Sequence, residues 1–444
     1  MYAADRSAAV ELLHGRTAIY TRAEVVRPLL TRMGWPKPGA TLIDPSCGDG
    51  IFLECALEML PEVGRDIHLQ LAGWEVHTGA AEAARDRVYQ VLCQYMSGRF
   101  AARRAEQMVR ARDFLTDGPE ERYDFVVGNP PYLRYTNVPQ LLRMEYREAV
   151  PRYAQADLLH SFLDRCVDLV NPHGKIGFIT SDRWLFNTSA AQLREIVGSR
   201  LAIEHLERHS VASAFYHAKT RRINTPPRVH PVEVVLAPTG ATPLTAAPIY
   251  PGARLRVAGR TLSDVAQINQ GPYLGTKGIF WMTRVKALEL GLPESSLVPA
   301  VGPRDLRGLT LRTPEFVALL TQRDVRPPEP IARHLLASYG RMAKRGQARL
   351  QRWVPPESIE PFPLATESLV VPRILKEMRV LRLPAGIVPL NHNLTIVSAS
   401  RFDLDELEAL LLSQSTWEWI QERGHRIDGG YYSITTNLLR ELPI

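Results

Sequence analysis

Short apolar runs alternate with helical patterns through the first half of this 444-residue chain. The predicted strands lie at residues 40–44, 69–74, 111–115, 123–128, 175–180, 201–206 and 232–237, and the run at 123–128 is rich in β-branched and aromatic residues. Strands that alternate with helices predict a mostly parallel sheet with helices on both faces, the Rossmann-like α/β class. Such sheets bind ligands at the carboxyl ends of their strands, so residues just after each run are candidates for a site.

One of these strand ends is Asn129-Pro130-Pro131-Tyr132, which follows the run at 123–128. The two prolines have a fixed φ and no N–H donor, so the loop is stiff and its carbonyls are free to accept hydrogen bonds. Asn129 adds a side-chain acceptor, and Tyr132 adds a flat apolar face. The loop therefore predicts a site for a planar base with an exocyclic amino group. An ordinary Asn-Pro turn is the alternative, because both residues are common in turns.

A glycine turn, Asp44-Pro-Ser-Cys-Gly-Asp-Gly50, lies between the first run and a helical pattern that starts at Ile51. A strand, a glycine turn and a helix form the start of a nucleotide-binding α/β unit, because glycines let the backbone approach a ligand at the helix N-terminus. The turn has no Lys-Ser/Thr pair for phosphate, and its aspartates would repel a pyrophosphate. It favours a ligand with a cationic part, such as a sulfonium with an amino-acid tail. A glycine turn that binds nothing is the alternative.

Two more acidic residues follow predicted strands. Glu75 comes about 25 residues after the glycine turn, near the spacing at which a carboxylate binds the two hydroxyls of a ribose. Asp113 follows next, where it can accept from an adenine amino group while Phe114 lies along the ring. Each acid could also be a solvated loop residue.

The second half of the chain has a different character. Residues 238–252 contain four prolines, two glycines and no charge, which predicts a linker or a wrapped connection between domains 1–240 and 241–444. Residues 241–444 hold 25 Lys/Arg against 19 Asp/Glu, whereas residues 1–240 are nearly balanced. A basic segment beside Trp353 predicts contacts to a phosphate backbone by Arg341, Lys344, Arg345 and Arg349. A solvated helix face is the alternative.

Metal, secretion and membrane insertion are not indicated. The four cysteines are irregularly spaced, and the twelve histidines form no metal-binding pattern. The N-terminus lacks a signal-peptide pattern, and no apolar run approaches the roughly 18 residues of a membrane helix. We therefore expect a cytoplasmic protein without a metal.

In order, Asp44–Gly50, Glu75, Asp113-Phe114 and Asn129–Tyr132 resemble the motifs of S-adenosylmethionine-dependent DNA adenine-N6 methyltransferases. The upstream segment from Thr21 and the long C-terminal half resemble the gamma group, the TaqI-type enzymes. The resemblance implies a catalytic domain followed by a mixed α+β DNA-recognition domain. It implies methyl transfer from S-adenosylmethionine to N6 of an adenine flipped out of double-stranded DNA.

The resemblance also implies roles for individual residues. The methionine portion of the cofactor would be held by Thr21, Asp44, Ser46 and Gly48. Glu75 would bind the ribose and Asp113 the adenine. Asn129 and the Pro130 carbonyl would hold the target amino group, with Tyr132 stacked on one face of the base. Phe215 is the candidate for the other face, and Tyr216 is the fallback.

Three other functions remain open. Cytosine-N4 methylation of DNA uses similar chemistry. Enzymes that methylate a glutamine amide of translation release factors share the Asn-Pro-Pro-Tyr sequence, but they lack the basic C-terminal extension. A non-catalytic DNA-binding subunit with this fold is the third. We expect a monomer, and the chain itself shows no nuclease motif, so any cognate restriction endonuclease would be a separate protein.

Overall fold

The computed structural model divides the chain into two compact units, residues 1–252 and 253–444. It describes residues 2–64, 66–216, 230–251, 259–302, 305, 313–342, 352–357, 359, 364–390, 393–398, 402–427 and 429–444.

The first unit is built on a seven-stranded sheet. In spatial order its strands are Val109–Arg110, Leu71–Trp74, Leu42–Asp44, Tyr123–Gly128, Val170–Ser181, Pro231–Ala237 and Ala202–Arg208. Every strand except Pro231–Ala237 runs in the same direction. The predicted Rossmann-like sheet is therefore confirmed, with one antiparallel strand near its edge.

Helices cover both faces of this sheet. The longer helices are Tyr2–Thr17, Ala23–Met33, Ile51–Glu58, Thr78–Leu92, Gly98–Met108, Gln140–Ala149, Leu158–Leu169 and Ala191–Gly198. Successive residues of one strand enter two separate apolar cores: Val126 lies in one, and Phe125 and Val127 lie in the other. This alternation follows from the two-residue period of a strand, and it explains why the central strands are apolar throughout.

The chain before the glycine turn contains the helices Tyr2–Thr17 and Ala23–Met33, and Thr21 lies in the two-residue strand Tyr20–Thr21 between them. One local prediction differs from the structure. The strand predicted at 111–115 ends earlier, at Arg110. Asp113 is instead the N-cap of the short helix Phe114–Asp117, because its carboxylate accepts from the Leu115 N–H. Side-chain capping has overridden strand propensity here.

The proline-rich stretch after residue 237 packs on the first unit. Arg194, which is 1% exposed, donates to the carbonyls of Ala246 and Ala247. The Ile249 N–H donates to Leu185 O, and Phe186 and Tyr250 stack. These contacts agree with a connection that wraps over the domain, one of the two alternatives predicted for this stretch. The first unit ends at residue 252, about a dozen residues after the predicted domain boundary at 240.

The second unit is mixed α+β. It contains two four-stranded sheets. In spatial order the strands of the first are Ala266–Gln270, Asn393–Ser398, Ser368–Pro372 and Leu381–Leu383. Those of the second are Trp281–Thr283, Phe316–Leu319, Leu297–Val301 and Val388–Pro389. A three-stranded sheet contains Ile374–Leu375, Tyr431–Ser433 and His425–Ile427. Among the described residues of the second unit, the helices of five or more residues are Arg284–Glu289, Glu329–Ser338, Leu404–Leu412, Gln414–Arg423 and Thr436–Arg440. Within the described part of the chain, no helix has the length and apolar character needed to span a membrane.

Candidate active site

A cleft opens at the carboxyl edge of the first unit's sheet. The space that it outlines, open solvent included, is about 830 Å³. Its walls include the predicted residues Thr21, Ser46, Gly48, Glu75, Asp113, Phe114 and Asn129. Strand ends far apart in sequence are therefore brought to one cavity, as parallel-sheet geometry requires.

The glycine turn forms the floor of the cleft. Gly48 has φ +54°, and a Cβ there would stand 3.0 Å from the Tyr20 ring, so the position requires glycine. Asp44 Oδ1 accepts from the Ser46 N–H at 3.0 Å, which holds the turn against the strand end. The Ser46 Oγ is buried and has no hydrogen-bond partner in the described structure. A buried hydroxyl on a cleft wall is a group that a ligand can satisfy.

Asp44 itself lies beneath the cleft. It is fully buried, it is not part of the wall, and its Oδ2 has no hydrogen-bond partner in the described structure. Burial raises the pKa of this carboxyl well above its usual value. The geometry makes Asp44 a support for the turn.

Glu75 ties the turn to the next strand end. Its Oε2 accepts from the Gly48 N–H at 3.0 Å, and its Oε1 accepts from the His77 N–H at 2.9 Å. Burial raises the pKa of this carboxyl, while the two backbone donors act in the opposite direction. Each carboxylate oxygen can accept more than one hydrogen bond, so Glu75 keeps acceptor capacity toward the cleft.

The Asp113 carboxyl accepts from more donors than the carboxyls of Asp44 and Glu75 do. Its Oδ2 accepts from the Tyr146 hydroxyl and from the Arg6 guanidinium, both at 2.8 Å. Phe114, the next residue, stacks on Phe162 with ring centroids 5.4 Å apart, and both rings line the cleft. An acceptor and a flat apolar surface therefore lie side by side.

The side chain of Asn129 has a defined orientation. Its Nδ2 donates to the Ile19 carbonyl at 3.0 Å and to Thr21 Oγ1 at 3.2 Å. Its Oδ1 is buried and has no hydrogen-bond partner in the described structure. Because the Ile19 carbonyl can only accept, the amide nitrogen must face it, and the amide oxygen is left as an acceptor for a ligand.

The predicted aromatic residues are placed differently. Tyr132 is half-buried and packs against a core, and neither it nor Pro130 is part of the cleft wall, whereas Pro131 is. Phe215 is 4% exposed, lies in the second apolar core and is paired with Thr21 in a two-stranded ladder. The structure therefore does not bring Phe215 to the cleft. The fallback, Tyr216, stacks on Tyr20 and donates its hydroxyl to Asp49.

Residues 83–211 match the Eco57I restriction-modification methylase family. The chain carries a restriction-modification methylase domain.

Relatives of this methylase extend the similarity over nearly the whole chain. It is 26% identical to Type II methyltransferase M.XhoI of Xanthomonas vasicola, over 97% of the chain and 91% of the relative. The chain is 24% identical to Type II methyltransferase M.PaeR7I of Pseudomonas aeruginosa, over 97% of the chain and 86% of the relative. The fold is similar to that of the Type IIL restriction-modification enzyme MmeI in complex with DNA, with a TM-score of 0.63 and 14% sequence identity. This similarity covers 94% of the present chain and 64% of the MmeI chain. The predicted resemblance and fold class are confirmed.

Several cleft residues of the methylase were not found from the sequence. Leu13, His14 and Thr17 come from the first helix, and Tyr146 comes from the helix Gln140–Ala149. His14 stacks on His77 with centroids 3.7 Å apart, and burial lowers the pKa of His14 to about 4. Nothing in the local pattern of these helices distinguishes cleft residues from ordinary amphipathic ones.

The methylase also has an exposed group of cations in its second unit. This basic surface consists of Lys277, Arg341 and Arg352. The Lys277 ammonium lies 4.6 Å from the Phe316 ring centroid, and the Arg352 guanidinium lies 5.6 Å from that of Tyr339. Of the predicted phosphate contacts, Arg341 is included, whereas Lys344, Arg345 and Arg349 lie outside the described residues.

Hydrogen bonds connect the parts of the basic surface. Thr276, beside Lys277, donates to the Arg341 carbonyl at 3.4 Å, and Arg341 donates to Ser338 Oγ at 2.9 Å. A neighbouring acid, Glu357, accepts from the Tyr273 N–H at 2.7 Å. Within the described ranges, none of the three cations of the surface forms an ion pair with a carboxylate. The three cationic side chains therefore contact neutral groups, which are aromatic rings and a hydroxyl.

Glu207, His209 and Glu233 have potential metal-ligating atoms within 4.8 Å of one another. Glu233 is 1% exposed, pairs with the Arg32 guanidinium and is 3.1 Å from His209 Nε2. A cation of the protein already compensates this buried carboxylate, so the group has a structural explanation.

Proposed function

We propose that the chain transfers a methyl group from S-adenosylmethionine to N6 of an adenine flipped out of double-stranded DNA. The observation that carries this proposal is the Asn129 amide, whose nitrogen is anchored twice and whose buried oxygen has no partner in the described structure. An acceptor held in this way, at the end of a donor-free loop, suits an aromatic amino group.

The chemistry of such an amine explains why the loop needs acceptors. The nitrogen lone pair is delocalised into the ring, so the amine is a poor nucleophile. Hydrogen bonds from its N–H groups to Asn129 Oδ1 and to the Pro130 carbonyl would favour the pyramidal form, in which the lone pair is available. The same acceptors would stabilise positive charge as it develops on nitrogen. Tyr132 would stack on the base, which would require its half-buried ring to turn toward the cleft.

The residues of the cleft fit S-adenosylmethionine. Ser46 and Gly48 would hold the methionine portion, Glu75 the ribose, and Asp113 with Phe114 the adenine. The carboxyl groups of Asp44, Glu75 and Asp113 place acceptor oxygens in and beneath the cleft, and such oxygens suit a cation and hydroxyl or amino donors. When bound, the cofactor supplies an electrophilic methyl carbon.

Two predicted roles are revised within this proposal. We reassign Asp44 from direct contact with the methionine portion to support of the glycine turn, because it lies beneath the cleft. We reassign Thr21 to orientation of Asn129, because its hydroxyl oxygen accepts from the Asn129 amide. Phe215 stays a predicted partner for the second face of the base, which would require it to leave its buried position.

The second unit is proposed to bind the DNA. Its net charge is positive, and Lys277, Arg341 and Arg352 provide cations that no described carboxylate neutralises. A polyanion is the partner that such a surface fits, since phosphate contacts supply most non-specific affinity for DNA. The adenine must leave the duplex to reach a cleft of this kind.

We further propose a monomer in the bacterial cytosol that acts beside a separate restriction endonuclease. The basis is the restriction-modification family matched by residues 83–211. Co-purification with DNA of defined length and light scattering would test the monomer, because a dimer would double the protein mass per binding site.

The deciding experiment is to treat unmethylated DNA with the chain and labelled S-adenosylmethionine, digest the DNA and identify the methylated nucleoside. We expect N6-methyladenine from the wild type and none from Asn129→Ala. Asn129→Ala should still bind S-adenosylhomocysteine, which separates a chemical defect from misfolding. N4-methylcytosine would replace the adenine proposal with its alternative. Label in protein but not in DNA would favour glutamine methylation.

A further inference from the structure

A three-residue cluster lies at one end of the cleft, and we call it the Asp113 clamp. It joins Asp113 to Arg6, which is 107 residues away, and to Tyr146, which is 33 residues away. Asp113 Oδ1 accepts from the Leu115 N–H at 3.1 Å, and Oδ2 accepts from both other members at 2.8 Å. The carboxyl group therefore has donors on both oxygens, which restrict its rotation.

Counting acceptor positions shows which oxygen remains available. Each carboxylate oxygen has about two lone-pair positions. The two positions on Oδ2 are taken by Arg6 and Tyr146, whereas Oδ1 has one donor, the Leu115 N–H. Both Asp113 and Tyr146 line the cleft. The remaining acceptor position is therefore on Oδ1.

The charges around the clamp act on the protonation of Asp113. Asp113 is 6% exposed, and burial raises its pKa, while the Tyr146 hydrogen bond and the Arg6 charge lower it. Arg6 also pairs with Glu145 at 3.0 Å, so one guanidinium lies between two carboxylates. Burial raises the pKa of Tyr146 well above its usual value, which keeps its hydroxyl a donor. Removal of either donor would favour the protonated carboxyl.

We infer that Arg6 and Tyr146 are positioning residues that keep Asp113 an oriented acceptor for the 6-amino group of the cofactor's adenine. The helix Tyr2–Thr17 thereby becomes part of the cofactor site. This inference rests on the proposed function, because it assumes that S-adenosylmethionine binds in the cleft.

The test compares two ligands whose purines differ in the group at C6 and, as a consequence, in the hydrogen on N1. S-adenosylhomocysteine has a 6-amino donor, whereas S-inosylhomocysteine has a 6-oxo acceptor. An ionised, oriented Asp113 favours the first, and a protonated or rotated carboxyl tolerates the second. Affinities of the full chain for both ligands are measured by calorimetry for the wild type, Tyr146→Phe, Arg6→Gln and Arg6→Lys.

We expect Tyr146→Phe and Arg6→Gln to reduce the preference for the adenosyl ligand about tenfold, the scale of one hydrogen bond to a charged group. Arg6→Lys should recover part of the preference. As a matched control, Tyr153→Phe removes a tyrosine hydroxyl that donates to a different carboxylate, Asp164, at 2.6 Å, and should leave the preference unchanged.

Equal weakening of both ligands by Tyr146→Phe and Arg6→Gln, or an unchanged preference, would show that the clamp is only structural and would overturn the inference. If Arg6→Gln does not fold, Tyr146→Phe decides the question alone. A wild type that binds neither ligand would overturn the proposed function as well. A wild type that prefers the adenosyl ligand, with variants that keep the preference, would overturn the clamp alone.

Discussion

The Cβ that Gly128 lacks would stand 2.6 Å from Asp44 Oδ1. Gly128 also has φ +151°, a conformation that side chains rarely adopt. The strand that leads to Asn129 can therefore lie against the buried aspartate of the glycine turn only because residue 128 is glycine. This close approach joins the loop that starts at Asn129 to the glycine turn.

We expect Gly128→Ala to lower the free energy of unfolding by about 2 kcal/mol or more, because the methyl group clashes with a buried carboxylate and the backbone is strained. Methyl transfer should fall further than stability, since the displaced groups support both halves of the cleft. Gly64→Ala is the control, because a Cβ there meets nothing within 4 Å. Chemical denaturation measures both variants, and equal stabilities would contradict the contact.

Asp44→Asn should stabilise the cofactor-free protein at neutral pH. Burial raises the pKa of Asp44 well above its usual value, so folding favours the protonated carboxyl. The stability that this group contributes is present below its unfolded pKa and is lost as pH rises through the folded pKa. We expect a gain of about 1–3 kcal/mol at pH 7.5 that shrinks toward pH 4. A difference independent of pH, measured by denaturation, would refute the assignment.

His14→Phe should reduce the loss of stability on acidification. Burial lowers the pKa of His14 to about 4, so its stabilising contribution is present above the unfolded pKa of about 6.5 and is lost as pH falls toward 4. Phenylalanine keeps a flat ring against His77 but cannot take up a proton. The free energy of unfolding is measured for the variant and the wild type between pH 7 and 4.5, and its slope against pH is compared. Identical slopes would contradict the prediction.

Thr21→Val tests whether Thr21 orients Asn129 or holds the methionine portion. The substitution removes one of the two acceptors of the Asn129 amide without changing side-chain size. We expect kcat to fall about tenfold with little change in KM for S-adenosylmethionine, and Thr21→Ser to restore kcat. A raised KM with an unchanged kcat would instead support the role predicted from the sequence.

Cations of the basic surface should contribute to the salt dependence of DNA binding. Each of Lys277→Gln and Arg341→Gln should reduce the slope of log affinity against log salt by about one, for any DNA sequence. Lys286→Gln is the matched control, because Lys286 already pairs with Glu289 at 2.9 Å. Fluorescence anisotropy over a range of KCl concentrations measures the slopes. Equal slopes for all variants would show that the basic surface does not contact DNA.

Motif residues in this chain could be found from the sequence because each belongs to a short local pattern. Asn129-Pro130-Pro131-Tyr132 and the turn Asp44–Gly50 follow apolar runs, and the parallel sheet places those strand ends at one edge. The local pattern around Asp113 predicted a strand end, but Asp113 caps a helix, because its carboxylate accepts from a backbone N–H two residues ahead. Phe215, which the family resemblance indicated for the second face of the base, packs in the second apolar core.

The sequence by itself determined the fold class, the cleft-lining residues that follow the strands and the family, because two-residue and helical periods, glycine turns and proline pairs act within a few residues. Only the tertiary structure decided how the side chains at these positions are oriented. Asn129 is oriented by Ile19 and Thr21, and Asp113 by Arg6 and Tyr146, across separations of 33 to 110 residues. Such partners leave no local pattern, because they meet only when helices and strands distant in sequence pack together.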